Sequence, residues 1–432
     1  MKRIVSIILV IVLVFTFIVS ASAIDYNMNI DMEAEAVLLT NLETNIEIYS
    51  KNPEKVVYPA SLTKILTYVV VCDNCSDIEN ETVTITEDLF VDLDPESSVM
   101  GLSEHIGETF TVKDLLYGLM VGSGNDSAVA LAVHISGSIS KFAELMNKKA
   151  EELGCTKSHF VNPHGLHDMN HYTTAKDMTI ITKKALECDS FKDIVSTVSY
   201  TPNGFTDEIK TTNFLMDKNA DDGKYYYPYV TGIKTGYTDE AGKCLVALAE
   251  KEGYSYLLVQ FNTPFSQEEN INYAMLDAKD VFEYCFNDIY YQDVMENPKA
   301  EKSVEVKFSK DKDRTTLVPG GVLNILLEEN YDKNKITFKF DCPEEIEAPI
   351  NIGDTFGKVT AFYGDEELGS VDLISAEKIE VNFLLKLFSN TYFIIALIVI
   401  VIVILVIIIV VSKKRKKRRR EIERRNRGRR YK

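Results

Sequence analysis

Basic charge is scarce through most of this 432-residue sequence and is concentrated at its ends. Residues 413–432 hold 14 of the 47 Lys and Arg against two acidic residues, and Lys2 and Arg3 hold two more. What lies between keeps 31 basic against 63 acidic groups, a net charge of −32. A body that acidic does not bind nucleic acid through its field. Arginine is scarcer still: from residue 24 to residue 391 there is one, Arg314. The sequence also lacks a second C-x-x-C to partner Cys72 and Cys75, which makes a poor zinc site, and a thioredoxin-like context is missing. The seven cysteines are odd in number, so at least one thiol is unpaired or bonded elsewhere. A local Cys72–Cys75 disulfide and free thiols remain alternatives. No repeat of 20 to 50 residues is visible.

The two ends set the compartment. Lys2-Arg3, an apolar run from Ile4 to Val19 and Ala21-Ser22-Ala23 form the three regions of a secretory signal peptide over residues 1–23. The alternative is an uncleaved N-terminal anchor; both carry the following chain out of the cytoplasm. Residues 392–411 are almost unbroken Ile, Val, Leu and Phe, without charge or proline. As a helix, twenty residues span about 30 Å, the thickness of a bilayer's hydrocarbon core. The basic tail, 412–432, then starts at once. Positive residues stay cytoplasmic, so the reading is a single-pass cell-membrane protein with its body outside. A nucleic-acid-binding tail is the rival, but a cluster flush against a span favours stop-transfer and anionic-lipid contact.

The middle is long enough for two domains. Residues 24–287 mix both periodicities: 111–120 and 127–136 read as helices, and 244–249 and 256–261 as buried strands joined by a turn at 251–253. From 288 to 385 apolar and polar residues alternate in short runs between turn signals, as in Val304–Phe308, Ile336–Phe340 and Lys358–Phe362. That predicts a small antiparallel β domain without a long helix.

Three short motifs carry candidate chemistry. Pro59-Ala60-Ser61-Leu62-Thr63-Lys64 opens an apolar stretch, which places Ser61 at a helix start and Lys64 one turn on. Serine needs an adjacent base, and lysine serves as one only when burial or positive neighbours keep it neutral. S-x-x-K recurs at Ser138–Lys141, Ser309–Lys312 and Ser375–Lys378, which read as solvated surface. Ser123-Gly124-Asn125 sits in a tight loop; Ser123 offers a proton relay and Asn125 an amide for both a substrate carbonyl and an ammonium. By itself this is better explained by a Gly-rich turn with Asp126 or Ser127 capping the next helix. Lys234-Thr235-Gly236 reads as an edge strand along which a peptide can lie, or as an ordinary Gly-containing edge.

In this order, S-x-x-K, S-x-N and K-T-G resemble the signature of the penicillin-recognising serine enzymes. The sequence is similar, more narrowly, to the D-alanyl-D-alanine carboxypeptidases, the low-molecular-mass penicillin-binding proteins. The likeness includes His159–Leu166, Tyr172–Asp177, Thr231–Gly242 and Ala348–Gly357. It implies an α+β fold: a penicillin-binding/β-lactamase-like transpeptidase domain, an antiparallel sheet flanked by helices, then a small all-β domain and one transmembrane helix. It also implies a nucleophile at Ser61, a proton acceptor at Lys64 and a relay at Ser123. Substrate contacts fall to Asn125, Lys234, Thr235, Gly236 and Thr238, and the oxyanion hole to the backbone N–H groups of Ser61 and Tyr237. The implied substrate is a peptidoglycan stem peptide, β-lactams are the implied covalent inhibitors, and neither metal nor organic cofactor takes part. The four histidines between 159 and 171 fit the family's structural loop rather than a metal site. Alternatives are a D,D-endopeptidase, a β-lactamase-like hydrolase, or a weakly catalytic penicillin-binding scaffold or sensor.

The likeness has two departures. Family members commonly grip the substrate's terminal carboxylate with an arginine, whereas Arg314 lies in the β region; Thr235, Thr238 or a lysine must then hold it. Many relatives end in an amphipathic helix lying on the membrane, where this chain has a full span.

Overall fold

The computed structural model describes residues 26, 28, 30–91, 93, 97–266 and 271–428. The expected signal peptide lies outside them. The chain divides into two compact units, one running to Tyr290 together with Leu327–Glu329, the other comprising Tyr291–Leu326 and the chain from Asn330 onward.

The first unit is built on a five-stranded antiparallel sheet: β1 (Ala36–Asn41), β2 (Glu47–Lys51), β3 (Val230–Thr238), β4 (Gly242–Lys251) and β5 (Tyr254–Thr263). Its order is β2-β1-β5-β4-β3, which leaves β3 as an edge. The continuous apolar runs of β4 and β5 are buried residue after residue. Both faces of those strands are therefore covered, which strict alternation would not need.

Helix α1 (Thr63–Asn74) is apolar all round, and every residue from Thr63 to Val71 is buried. A helix of that kind belongs at the centre of a core. It packs against α2 (Val112–Met120), α3 (Asn125–Ser136), α4 (Ile139–Glu152) and α5 (Ala175–Leu186). Shortening a fully buried side chain here, as in Leu66→Ala, removes about 2–5 kcal/mol of stability. Helix α2 is fixed by a capping box: the Thr111 hydroxyl accepts from the Asp114 N–H at 3.0 Å, and the Asp114 carboxylate accepts from the Thr111 N–H. The expected helix at 127 starts two residues earlier, at Asn125. Neither Asp126 nor Ser127 caps it; the cap residue is Gly124.

The second unit holds a six-stranded sheet in the order Ile336–Asp341, Thr355–Tyr363, Glu366–Ser375, Arg314–Pro319, Lys302–Lys307, Glu345–Glu347. The expected antiparallel domain has one parallel pair, Lys302–Lys307 with Glu345–Glu347. Its two outermost strands are joined by residues 342–344 alone. So short a link spans at most about 14 Å, so the sheet must roll its edges toward each other, and the short last strand meets its neighbour in parallel.

Among the described residues one single helix, Thr391–Gly428, is long and apolar enough over Thr391–Glu423 to cross a membrane. It carries the uncharged run and continues through the basic residues, because Lys and Arg are good helix formers. All seven cysteines are free thiols, which decides against the Cys72–Cys75 disulfide.

Candidate active site

The first of the three motifs folds as two pieces. Ala60–Leu62 form one 3₁₀ turn, and α1 begins at Thr63. Ala60 takes φ +46°, a left-handed conformation that a side chain disfavours by about 1–2 kcal/mol. The turn is held from two sides by glycine. A Cβ on Gly165 (φ +88°) would lie 1.9 Å from the Ala60 carbonyl oxygen. One on Gly236 would lie 3.1 Å from the Ser61 nitrogen. The histidine-rich loop and strand β3 thus close on the backbone of Ser61, and any larger residue would force them apart.

Lys64 is completely buried beneath this turn. Its Nζ lies 2.7 Å from Asn125 Oδ1, 2.7 Å from the His164 carbonyl oxygen and 3.0 Å from Ser61 Oγ. Burial, and then the nearby Lys234 ammonium, hold its pKa well below the ordinary lysine range, with Asp126 opposing. A neutral amine has two N–H donors and one lone pair. In that form the two carbonyl acceptors would take both donors and leave the lone pair for the Ser61 hydroxyl; in the charged form Nζ donates to all three oxygens.

Ser123 and Asn125 come from the α2–α3 turn. Ser123 takes φ +60° and is buried, and Asn125 opens α3 with its N–H donating to the Ser98 carbonyl. Asp126 was legible only as a possible cap. Its carboxylate accepts N–H bonds from Met100, Gly101 and Leu102 at 2.7–2.9 Å, and from Ser127 at 2.9 Å. It ties the 98–102 segment to the start of α3 and so fixes the Asn125 amide that Lys64 contacts.

On β3, Lys234 is buried; its Nζ donates to the Thr235 carbonyl at 3.0 Å, and burial lowers its pKa to about 7. Thr235 Oγ1 and Thr212 Oγ1 are 2.5 Å apart. The Thr238 hydroxyl accepts from the Ala241 N–H in the turn that follows, and the exposed Tyr237 donates its hydroxyl proton to Asp239. Ser61, Ser123, Asn125, Thr235, Gly236, Tyr237 and Thr238 all line one cavity of about 400 Å³; Lys64 is buried in contact with Ser61 and Asn125 of that lining, and Lys234 is buried on the strand that carries Thr235. All nine residues expected of a site therefore meet in one place. Thr212 and Lys243 also line it and were not foreseen; Lys243 is near Lys234-Thr235-Gly236 along the chain, on the following strand, whereas Thr212 comes from a separate loop and has no sequence signal.

The four histidines do not converge. His171 Nε2 is 2.8 Å from the Thr63 hydroxyl, His159 Nδ1 is 2.6 Å from the Asn170 carbonyl, and His167 packs edge-on to Tyr58. His164 Nδ1 accepts from the Leu166 N–H. Burial lowers both His164 and His171 to about 3, so they are neutral struts under α1. The other three S-x-x-K pairs are apart from the cavity. Ser138 caps α4 and Ser309 bonds its own loop, as solvated residues do. Ser375 departs from that expectation: it is fully buried, and its hydroxyl is satisfied by donating to the Glu377 carbonyl.

Known proteins resemble this chain in sequence and in fold. A family model described as D-alanyl-D-alanine carboxypeptidase matches residues 21–264, and one described as penicillin-binding protein 5, C-terminal domain, matches 292–381. The D-alanyl-D-alanine carboxypeptidase DacF of Bacillus subtilis (strain 168) is 31% identical over 352 residues, 79% of this chain and 85% of that protein. Penicillin binding protein 5 from Haemophilus influenzae superposes with a TM-score of 0.58 at 28% identity, over 81% of this chain and 98% of that one. Penicillin-binding protein D2 from Listeria monocytogenes, in a cefotaxime-bound form, superposes at 0.51 and 26% identity, over 60% of this chain and 99% of that one. By its fold, its cavity and these matches, the chain belongs to the D-alanyl-D-alanine carboxypeptidase family.

Proposed function

We propose that this chain removes the terminal D-alanine from peptidoglycan stem peptides through an acyl-enzyme on Ser61. Ser61 Oγ attacks the carbonyl carbon between the two D-alanines, and its proton passes to Lys64 Nζ. The oxyanion that forms is held by the backbone N–H groups of Ser61 and Tyr237, which the packing of Gly236 on the Ser61 turn brings together. The C–N bond then breaks, with a proton delivered to the leaving amine through the Ser123 hydroxyl. Water, deprotonated by Lys64, hydrolyses the ester and frees Ser61. Asn125, Lys234, Thr235 and Thr238 bind the substrate, and β-lactams acylate the same serine. The observation that carries this reading is the complete burial of Lys64 beside Ser61, Asn125 and the His164 carbonyl: burial favours the neutral amine, and in that form the two carbonyls take its N–H donors and its lone pair is left for the Ser61 hydroxyl.

The reading also puts the cavity outside the cell membrane, anchored by residues 392–411 with the basic C-terminus in the cytoplasm. Protease added to intact cells should then remove the cavity domain and spare the tail.

The test is to incubate the full chain in detergent with a stem pentapeptide. Free D-alanine should appear, and labelled penicillin should attach to Ser61. Labelling without D-alanine release would defeat the carboxypeptidase reading, and cleavage of cross-linked dimers alone would make the chain an endopeptidase.

A further inference from the structure

The proposed substrate ends in a carboxylate, and a carboxylate brought into a partly buried cavity needs a compensating cation. The usual arginine is unavailable: Arg314 belongs to the second unit, where it bonds to Ser303 and Glu305. Lys64 is committed to Ser61, Asn125 and His164, and Lys234 is buried with its Nζ on the Thr235 carbonyl. Among the described residues lining the cavity, one is charged, and it is Lys243.

Strand pairing shows where Lys243 points. In the β3–β4 register Tyr237 lies opposite Lys243 and Thr235 opposite Leu245. Opposed residues of an antiparallel pair share a face, and the diagonal neighbour two positions away is within reach of a long side chain. Lys243 is therefore beside Tyr237 and diagonal to Thr235. Its Nζ sits 4.2 Å from the Tyr237 ring centre and 4.7 Å from that of Phe265. No carboxylate pairs with it among the described residues, although most other half-exposed lysines of this acidic unit have one. Two aromatic faces orient the ammonium without neutralising it. Half-burial strips part of its hydration, which lowers its pKa and leaves a cation that an incoming anion would restore.

We infer that Lys243 is the cation that receives the substrate's terminal carboxylate, acting with the Thr235–Thr212 hydroxyl pair at the β3 edge. This rests on the carboxypeptidase reading of the same cavity. Tyr237 thus has two roles, its N–H toward the reacting carbonyl and its ring under the ammonium. A lysine offers a point charge rather than a fork, so the two threonine hydroxyls supply the directional hydrogen bonds that an arginine would give.

The test compares two peptide thioesters differing only at the leaving-group end, one a free carboxylate and the other its amide. Wild-type full chain should prefer the carboxylate. In Lys243→Met, which keeps the packing volume, that preference should fall by about 10- to 100-fold, the range for losing a charged hydrogen bond. Lys243→Arg should restore it. Should the methionine variant not fold, Lys243→Gln carries the same expectation. An unchanged preference, or equal losses on both thioesters, would overturn the assignment. Failure of the underlying reading looks different: wild type would turn over neither thioester, and Ser61 would stay unlabelled by penicillin.

Discussion

Two segments of this protein carry the same four-residue pattern and do opposite things. Ser61–Lys64 and Ser138–Lys141 each place serine where a helix begins and lysine one turn on. At Ser138 the hydroxyl accepts the Lys141 N–H as an ordinary cap, and Lys141 stands in solvent. At Ser61 no cap forms; the turn is strained at Ala60, and Lys64 is sealed among α1, the α2–α3 turn and the histidine loop. The difference lies in the surroundings. Burial makes charge on Lys64 unfavourable, and two fixed carbonyls then direct what remains of the amine. Spacing brings a serine and a lysine together, but it takes desolvation to favour the neutral amine that the proposed base requires.

The comparison breaks most sharply at the serines. Ser61→Ala should abolish penicillin labelling and reduce D-alanine release by at least about 10³-fold. Ser138→Ala should leave both unchanged and lower stability by about 1 kcal/mol through the lost cap. Equal effects on activity would mean that the nucleophile is misassigned.

A step down in size, Lys64→Met should slow acylation about 10²- to 10⁴-fold, the contribution of a positioned general base, while Lys141→Met has no kinetic effect. Stopped-flow acylation by a chromogenic β-lactam reads both.

The support beneath α1 gives a smaller, pH-dependent signal. His164 and His171 sit near 3 in the fold, against about 6.5 when unfolded. The unfolded chain therefore binds more protons below pH 6.5, and stability falls with acid from there toward pH 3. Each histidine contributes at most about 1.4 kcal/mol per pH unit. Urea midpoints between pH 7 and 5 should drop in wild type and drop less in His171→Asn. Parallel curves would remove His171 from this role.

Much of this was legible in the sequence. The helices on either side of the 121–124 turn and the alternating strands of the second unit follow from periodicity, and the buried runs of β4 and β5 and the apolar C-terminal helix from the length of their apolar runs. The order of three motifs brought together Ser61, Ser123 and Lys234, which lie more than 100 residues apart at their extremes. The rest needed three dimensions. Asp126 works through the backbone N–H groups of residues 100–102, which leave no side-chain signature. Thr212 and Lys243 enter only because a neighbouring loop and strand face the cavity. The parallel pairing at Glu345–Glu347 comes from the closure of a rolled sheet, and local alternation carries no trace of it.

The central claim is that burial holds Lys64 neutral where an exposed lysine would be charged. The pH dependence of Ser61 acylation by a β-lactam, followed in the full chain, tests it most directly. Protonating Lys64 takes away the lone pair that accepts the serine proton, so the rate should fall on acidification along a limb well below the ordinary lysine value of about 10.4. Lys234→Met should move that limb upward, since it removes a positive neighbour that helps to keep Lys64 deprotonated. A rate that instead keeps climbing through pH 9 to a midpoint near 10 would show Lys64 to be an ordinary lysine and would contradict the account.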